Sequence, residues 1–448
     1  MTIEQDITAA AAALADGRIT ASQLLAQHLE AIEHHQSSLN CFVVVDEAGA
    51  TQAAVAADER WRSGTPLSAI DGIPIALKDN INVAGMATRN GSEHVLPVVE
   101  DAAVSRKLRA AGAVFLGKLN MDECAIGGTT DNPHFGRTHN PWHHGYSPGG
   151  SSGGAGSAVA AGLAMAALGT DTLGSVRLPA AYCGIVGLKP TYGLVEMAGI
   201  VPLSKTLDHV GPLCRSVRDV RLLLDILAGP VAACRSAAAL DQRLGGLKIG
   251  VLEQVPGPDC AADVVDGFER AFQDFRRLDV NIVTLTGLDL DPQLLRREAF
   301  LIIEAEGADA LATSVHQDPA AYSENLKAML NYGSNLSEDR LRSAYRAIAL
   351  AKCDLAELFE TVDLLVAPTA PQTAVSFALP APVNQAEITG LANIAGGPAI
   401  SLPCGLAPSG LPLAFQIIAA TGNEATLLGA AEVLENIWGR LTPPMIPD

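Results

Sequence analysis

The chain has 448 residues, of which 48% are hydrophobic, 18% are charged and only 4% are aromatic. This composition can bury a large core, which excludes an intrinsically disordered chain, and the length alone predicts two or three domains. Thirty basic and 49 acidic side chains give a net charge of −19, which argues against nucleic acid or anionic membrane surfaces as partners.

The first 65 residues are predicted to be helical. Thr20 and Gln23 form a capping-box pattern, and apolar residues then recur at helical spacing through Ile32. A further helix is predicted from Glu47 to Arg62, ending at Gly64.

From about residue 66, short apolar runs alternate with helices, which is typical of an α/β sheet with helical crossovers. Asp101 is predicted to cap a helix that Gly112 closes, and Ser216 with Asp219 to open another. Residues 155–168 carry small side chains on every face and are predicted to form one buried helix. The predicted strands are 73–77, 113–116, 247–252, 362–367, 400–402 and 413–418.

Residues 255–350 are more polar and are predicted to be helical, with 296–312 and 339–359 the longest helices. Because strands precede and follow this stretch, we interpret it as an excursion from the sheet rather than as a separate domain. The expected fold class is α/β, with a helical region 1–65, a core 66–250, the helical excursion 255–350 and a return to the sheet at 360–448. The densest basic runs, residues 276–277 and 296–297, are interpreted as polar faces of helices.

The eight cysteines are scattered without a Cys-x-x-Cys pair, and most have apolar neighbours. They predict buried thiols of a reducing compartment rather than a disulfide framework. Glu4 and Asp6 occupy the region where a signal peptide would carry basic residues. The apolar run from Ala155 to Leu168 is shorter than the roughly 20 residues that span a bilayer. We therefore expect a soluble, cytoplasmic protein.

Ser175 follows the turn Thr172-Leu173-Gly174. A serine nucleophile needs a base within hydrogen-bond reach, and amide donors for the oxygen that becomes negative during acyl transfer. This turn can present successive N–H groups to such an oxygen. The alternative is a turn serine that hydrogen-bonds its own backbone.

Ser151 lies between two Gly-Gly pairs, and glycine permits backbone conformations closed to other residues. The pattern predicts a constrained loop that holds a hydroxyl rigidly. A phosphate-binding loop is the alternative, but the chain has neither a Gly-Lys-Ser/Thr ending nor a complete G-x-G-x-x-G here. A flexible linker would not lead directly into a buried helix.

Lys78 ends an apolar run that begins at Ile73. Complete burial lowers a lysine pKa by up to ~3–5 units, and a neutral amine can take a proton from one serine and relay it to another. The alternative is a lysine whose amine reaches solvent and pairs with Asp79 or another acid.

Histidine and cysteine offer no stronger catalytic group. His139, His143 and His144 are interpreted as loop or pocket-rim residues, and no His/Cys cluster has metal-ligand spacing. Nothing near Cys183 in the sequence would stabilise a thiolate.

Together, the contexts of Lys78, Ser151 and Ser175 closely resemble the amidase signature family. The resemblance runs in order over roughly residues 60 to 445. Its matching motifs are Gly72-Ile-Pro with Leu77-Lys78-Asp79, Gly117-Lys-Leu-Asn-Met-Asp-Glu123, Asn140-Pro-Trp142, Cys183 to Gly193, Asp208 to Pro212, Asp363 to Thr369, and Gly410-Leu-Pro412 with Gln416.

The resemblance implies a single α/β/α domain around a large mixed sheet, and a Ser–cis-Ser–Lys triad that needs no metal or organic cofactor. Carried onto this chain, Ser175 is the nucleophile, Ser151 is the bridging serine after a cis peptide, and Lys78 is the base. The implied oxyanion hole comprises the amides of Thr172, Leu173, Gly174 and Ser175. The implied supporting residues are Ser152, Asp171 and Arg177.

The chain departs from the family at Leu173, which replaces the first glycine of the usual Asp-Thr-Gly-Gly-Ser turn. A leucine at positive φ would be strained. We expect an ordinary φ here, and we expect Leu173, Gly127 and Gly128 to border the substrate pocket.

The expected function is hydrolysis of a linear C–N bond in a small or aryl amide, with carbamate (urethane) or urea hydrolysis as the nearest alternative. Another alternative function is that of the family's glutaminase subunit of a tRNA-dependent amidotransferase. Residues 300–340, however, lack the tyrosine- and arginine-bearing segments with which that subunit binds glutamine. A non-catalytic binding subunit is the last alternative, against which the intact triad argues. The expected partner is the small-molecule amide or carbamate, and the sequence leaves a homodimer open.

Overall fold

The computed structural model describes residues 6–229, 244–257, 259–286 and 290–441. Eleven strands form one mixed sheet, in the spatial order β1-β3-β2-β6-β8-β7-β12-β13-β11-β9-β10, and β4 and β5 pair separately. The strands are β1 (Phe42–Val45), β2 (Pro74–Lys78), β3 (Val114–Leu119), β4 (Asp131–Asn132), β5 (Gly136–Arg137), β6 (Ala166–Asp171), β7 (Val186–Lys189), β8 (His209–Cys214), β9 (Lys248–Leu252), β10 (Asn281–Leu285), β11 (Leu364–Pro368), β12 (Ala399–Leu406) and β13 (Pro412–Ala419).

Thirteen α-helices lie in the described part of the chain. They are α1 (Ile7–Ala15), α2 (Ala21–Leu39), α3 (Glu47–Ser63), α4 (Ala103–Ala110), α5 (Gly153–Ala160), α6 (Arg177–Cys183), α7 (Val217–Ala228), α8 (Ala262–Arg276), α9 (Pro292–Gln317), α10 (Glu324–Ser334), α11 (Glu338–Leu358), α12 (Glu387–Ala395) and α13 (Glu424–Trp438).

The sheet is antiparallel through its middle, is flanked on each side by parallel pairs, and ends on one side in the antiparallel pair of β1 with β3. β2 pairs in parallel with β3 and β6, and β9 does so with β11 and β10. The pairs from β6 through β8, β7, β12 and β13 to β11 are antiparallel.

The sheet separates two hydrophobic clusters, as β11 shows residue by residue. Leu364 and Val366 belong to one cluster, and Leu365 and Ala367 to the other. Because successive side chains of a strand point to opposite faces, the two clusters lie on opposite sides of the sheet. The second cluster includes residues of α9, α11 and α12. The expected fold, one domain with helices around a large mixed sheet, is confirmed.

Several predicted helix ends are confirmed by their hydrogen bonds. The Thr20 and Gln23 side chains form the capping box of α2, and Gly64 ends α3 at φ 73°. Ser216 caps α7 by accepting from the Asp219 amide at 3.1 Å.

Asp101 is not the cap of α4, so that prediction is wrong. The N-cap is Ala102, which has no side-chain hydrogen bond. The Asp101 carboxylate instead accepts from the Ala84 amide at 2.8 Å and from Arg109 Nε at 2.7 Å. The charged partner on the same helix outcompetes the backbone cap.

The single helix predicted over residues 155–168 is also wrong. The helix α5 ends at Ala160, Gly162 turns the chain at φ 74°, and β6 begins at Ala166. All residues of α5 and β6 are buried, so neither the helical period nor the strand period appears in the sequence.

Several strands were not predicted from the sequence. β1 lies within the region predicted as helical, and β10 lies within the excursion at 255–350. β7 and β8 were not predicted, because Gly187 in β7 and Gly211-Pro212 in β8 interrupt their apolar runs.

Seven cysteines in the described residues are free thiols, and Cys234 lies outside them, as does Glu4. Four are buried, but Cys260 and Cys404 are only partly covered and Cys353 is exposed, which corrects the expectation of buried thiols. None of the helices found in these residues is both long and apolar enough to cross a membrane.

Candidate active site

Lys78 and Ser151 meet in the interior of the molecule. Lys78 is the last residue of β2, and Ser151 follows the cis peptide bond Gly150–Ser151. Lys78 Nζ lies 2.7 Å from Ser151 Oγ and 2.9 Å from Thr170 Oγ1, within hydrogen-bond distance of both. Both side chains are fully buried.

Burial lowers the pKa of Lys78 to about 7, because desolvation penalises the ammonium form. The charges of Asp122, Asp208 and Asp171 oppose this effect without cancelling it. A lysine with this pKa is present in substantial part as the neutral amine at neutral pH, which is the form that accepts a proton.

The alternative interpretation of Lys78 as a solvent-reaching partner of Asp79 is not what the structure shows. Lys118 takes that place, with its Nζ 3.6 Å from Asp79 Oδ1 and hydrogen-bonded to the Asp79 carbonyl at 3.2 Å. Lys78 Nζ instead contacts the hydroxyl groups of Ser151 and Thr170.

The glycines before Ser151 allow a close approach to Asp122. A Cβ added at Gly150 would lie 2.0 Å from Asp122 Oδ2, so no larger residue fits there without movement. The Asp122 carboxylate accepts from the Thr129 and Thr130 amides at 3.2 and 2.9 Å. Burial raises the pKa of Asp122 to about 6.

Ser175 lies in the turn between β6 and α6, and its side chain is partly exposed. The turn is joined to the glycine-rich loop by the Ser152 amide, which donates to the Ser175 carbonyl at 3.3 Å. The Ser152 hydroxyl donates to the Thr170 carbonyl at 3.2 Å. Within the described residues the Ser175 hydroxyl makes no hydrogen bond, so the structure joins Lys78 to Ser151 but does not join Ser151 to Ser175.

The amides of the turn are not equivalent. The Gly174 amide donates to Asp171 Oδ1 at 2.7 Å, which removes it from the expected set of oxyanion donors. Among the described residues, the amides of Thr172, Leu173 and Ser175 have no acceptor. Three of the four expected donors are thus available.

Leu173 has an ordinary φ, as expected, and the positive φ of the turn, 125°, falls on Gly174. A Cβ at Gly174 would lie 2.3 Å from Thr389 Oγ1, so this position requires glycine on both counts. The Leu173 carbonyl accepts from Thr389 Oγ1 at 2.6 Å, which ties the turn to α12.

Asp171 and Arg177 hold the turn from behind, and both are fully buried. Arg177 Nε and Nη2 donate to the Asp171 carboxylate at 3.0 and 2.9 Å. Although desolvation alone would raise the pKa of Asp171, the charge and hydrogen bonds of Arg177 hold it well below its usual range. Arg177 also donates to Asn393 and Gln416, at 2.7 and 2.6 Å.

A cavity of about 310 Å³ opens at Ser175. Its lining contains the predicted pocket residues Leu173, Gly127 and Gly128, together with Gly150 and the turn 172–175. His139, His143 and His144 are not part of this lining. His139 and His144 instead stack on each other in the preceding loop, with ring centroids 3.9 Å apart.

Several residues of this site were not predicted from the sequence. Thr170 contacts Lys78 directly, and Asp122 and Asp208 act on its charge. Asp122 and Asp208 lie in two of the motifs shared with the family, but those motifs did not predict that either residue acts on Lys78. Arg296 lines the cavity, whereas Arg297 is exposed, so the interpretation of both as a polar helix face is wrong for Arg296. No group of three or more potential metal ligands occurs in the described part.

Comparisons with known proteins by sequence and by structure find the same family. The sequence model of the family described as Amidase matches residues 23–428 of this chain. The chain is 35% identical to one subunit of the glutamyl-tRNA(Gln) amidotransferase of Synechococcus sp. (strain CC9605), covering 94% of each protein.

Two crystal structures show the same fold. One, described as an amidase, superimposes with a TM-score of 0.89 at 31% identity, covering 97% of this chain and all of the other. The native peptide amidase from Stenotrophomonas maltophilia superimposes with a TM-score of 0.86 at 28% identity, covering 99% of each chain.

Proposed function

The chain belongs to the Amidase family, and from this premise we propose that it is a serine amidohydrolase that cleaves the C–N bond of a small or aryl linear amide. The observation that carries the proposal is the buried contact of 2.7 Å between Lys78 Nζ and Ser151 Oγ, beside a cavity that Ser175 lines. In this proposal Ser175 is the nucleophile, Ser151 the relay and Lys78 the base.

In the first step, the Ser175 oxygen attacks the amide carbonyl, Ser151 accepts the Ser175 proton and passes its own to Lys78. The neutral amine favoured by burial is the form this step needs. The Ser175 hydroxyl must approach Ser151 when substrate binds, since such hydrogen bonds often tighten only in the complex.

The tetrahedral oxyanion is stabilised by the amides of Thr172, Leu173 and Ser175, which have no other acceptor in the described residues. Lys78 returns its proton through Ser151 to the leaving nitrogen, and the C–N bond breaks. Water then attacks the acyl-enzyme by the same proton route and releases the acid.

The cavity supports a small substrate. At about 310 Å³ it is near the lower end of ligand pockets, and leucine, isoleucine and phenylalanine side chains form much of its wall. Leu173 narrows it beside the nucleophile, which favours a compact or flat apolar group. A carbamate fits the same proton transfers, so it remains the nearest alternative substrate.

The test is hydrolysis of p-nitroacetanilide, benzamide, glutamine and an aryl carbamate by the wild type and by Ser175→Ala. We expect turnover of an amide that falls by at least about 10⁴-fold in the variant, as for other serine nucleophiles. Ser401→Ala is the control for loss of a serine hydroxyl, because Ser401 lies on β12 and does not line the cavity. Full activity in Ser175→Ala would refute the assignment.

Glutaminase activity is a second candidate, favoured by the 35% identity to one component of a glutamyl-tRNA(Gln) amidotransferase. A preference for glutamine in the same panel would support it over the stand-alone amidase. We also propose a cytoplasmic location, since free thiols such as Cys353 persist in a reducing compartment.

A further inference from the structure

Arg296 lies on the face of α9 that forms one wall of the cavity. Arg296, Phe300 and Ile303 line the cavity and are four and three positions apart, so they share one face of the helix. The neighbouring Arg297 points away and is exposed. The chain therefore carries one arginine into the cavity and leaves the adjacent one in solvent.

Among the residues that the structure describes, the Arg296 guanidinium forms one ion pair, with Glu387, and has donors left over. It makes no hydrogen bond within the described residues, and its Nε is a buried donor without an acceptor. Its nearest carboxylate oxygen, Glu387 Oε1, is 3.6 Å from Nε, too far for a hydrogen bond, and is itself buried without a donor. Arg177, in contrast, has acceptors for Nε, Nη1 and Nη2.

No other charged side chain among the described residues lines this cavity. The other long polar side chain, Gln385, is already used, since its Nε2 donates to the Pro382 carbonyl and its Oε1 accepts from Tyr182. The Arg296 side chain is 16% exposed, and its guanidinium can donate to a ligand in this largely apolar cavity that supplies acceptors.

Resting on the proposed function, we propose that Arg296 binds a carboxylate carried by the substrate, so that the enzyme selects amides bearing a carboxylate over neutral amides of the same size. A carboxylate matches the planar fork of a guanidinium and accepts two parallel hydrogen bonds from it. Arg296 is then a specificity-determining residue at the wall that α9 forms, while Ser175 reacts with the carbonyl.

Glu387 does not already fill this role. Its Oε1 lies at ion-pair distance, 3.6 Å, from Arg296 Nε. Burial raises the pKa of the Glu387 carboxyl group, and the charge of Arg296 opposes this effect only in part. Glu387 holds the guanidinium on one side and leaves the remaining donors to a ligand.

The first experiment measures binding without turnover, in the Ser175→Ala protein, by isothermal titration calorimetry. The ligands are matched pairs: glutaramate with pentanamide, adipamate with hexanamide, and 4-acetamidobenzoate with acetanilide. We expect the carboxylate member of at least one pair to bind about 10- to 100-fold more tightly, the range of a charge-assisted hydrogen-bond pair. The aryl pair reports whether the carboxylate sits on the leaving group.

The second experiment adds Arg296→Gln, Arg296→Lys and Arg297→Gln to the same background. Arg296→Gln should abolish the preference, Arg296→Lys should keep part of it, and the matched charge change Arg297→Gln should leave it intact. Arg296→Lys retains a positive charge beside Glu387 and so remains informative if Arg296→Gln does not fold.

The outcomes are separable from those of the proposed function. Equal binding within every pair, tighter binding of the neutral members, no binding of any carboxylate, or a preference that survives Arg296→Gln would each overturn the role of Arg296. Because these readouts need no turnover, they stand even if Ser175→Ala shows that Ser175 is not the nucleophile. With active enzyme, Arg296→Gln should raise KM for the preferred carboxylate amide by a larger factor than KM for its neutral partner, whereas Arg297→Gln should change neither.

Discussion

Lys78 is a lysine whose chemistry is set by burial rather than by its neighbours in the sequence. Its amine has two hydroxyl partners, Ser151 and Thr170, and no carboxylate among its hydrogen-bond partners in the described residues. The nearby acids Asp122 and Asp208 raise its pKa only in part, and burial raises their own pKa values. The balance leaves a base near neutrality, where a general base is most effective.

We predict that kcat/KM rises with pH through an apparent pKa of about 7, because only the neutral Lys78 accepts a proton. Below this value the ammonium predominates and activity falls about tenfold per pH unit. Lys78→Met should lower kcat by ~10²–10⁴-fold. A wild-type profile that is flat between pH 5.5 and 8.5 would contradict the assignment of Lys78 as the base.

Leu173 has two effects that a mutation can separate, because it is buried in a core cluster and also lines the cavity. Leu173→Ala should reduce the free energy of unfolding by about 2–5 kcal/mol and improve kcat/KM for bulkier amides relative to smaller ones. Leu207→Ala is the control, since Leu207 lies in the same cluster but not in the cavity lining. Urea unfolding and a substrate-size series are the measurements. The same selectivity change in both variants would argue against a role of Leu173 in the pocket.

At the scale of elements, the turn after β6 is held by contacts from two distant elements. Arg177 in α6 links Asp171 at the end of β6 to Asn393 in α12 and Gln416 in β13. Thr389 of α12 adds a hydrogen bond to the Leu173 carbonyl. The Thr172–Ser175 amides are therefore placed by packing between elements far apart in the chain, which limits their movement during the reaction.

Removing this link should affect stability and catalysis together. We predict that Arg177→Met lowers the free energy of unfolding by about 3–5 kcal/mol, because it leaves the buried Asp171 carboxylate without its cation, and that kcat also falls. Arg342→Met, which breaks an exposed pair with Asp339, should leave both unchanged within error. Guanidinium unfolding and steady-state kinetics test this. Equal effects of the two substitutions would show that the buried pair does not hold the turn.

At the scale of the whole molecule, the sheet buries three lysines, Lys78, Lys118 and Lys189. Burial lowers the pKa of all three, to about 7 for Lys78 and about 8 for Lys118. Between its folded and unfolded pKa values, such a lysine binds more protons in the unfolded chain. Stability therefore rises with pH across that window and is lost as pH falls towards the folded pKa.

For Lys78 the window runs from about 7 to its ordinary pKa of 10.5. We predict that the stability of the wild type relative to Lys78→Met rises between pH 7 and 9, with a slope that approaches about 1.4 kcal/mol per pH unit. The measurement is urea unfolding of both proteins at pH 7, 8 and 9. A difference that does not change with pH would mean that Lys78 is not desolvated as described.

By itself, the sequence determined the family, the α/β class and the helix ends with local signals, such as the capping box at Thr20 and the cap at Ser216. These helix ends were predictable because capping hydrogen bonds join residues three or four apart. The sequence also singled out Lys78, Ser151 and Ser175 as candidates, because each lies in a short stretch of chain whose residue types indicate its chemistry.

Only the tertiary structure decided what surrounds those residues. It brought Thr170 and Asp122 to Lys78, committed the Gly174 amide to Asp171, and turned Arg296, but not Arg297, into the cavity. It also separated α5 from β6, which form one apolar run in the sequence. The physical reason is that burial and hydrogen-bond partners depend on contacts between distant segments, and these alone set the desolvation of a lysine or the direction of an arginine.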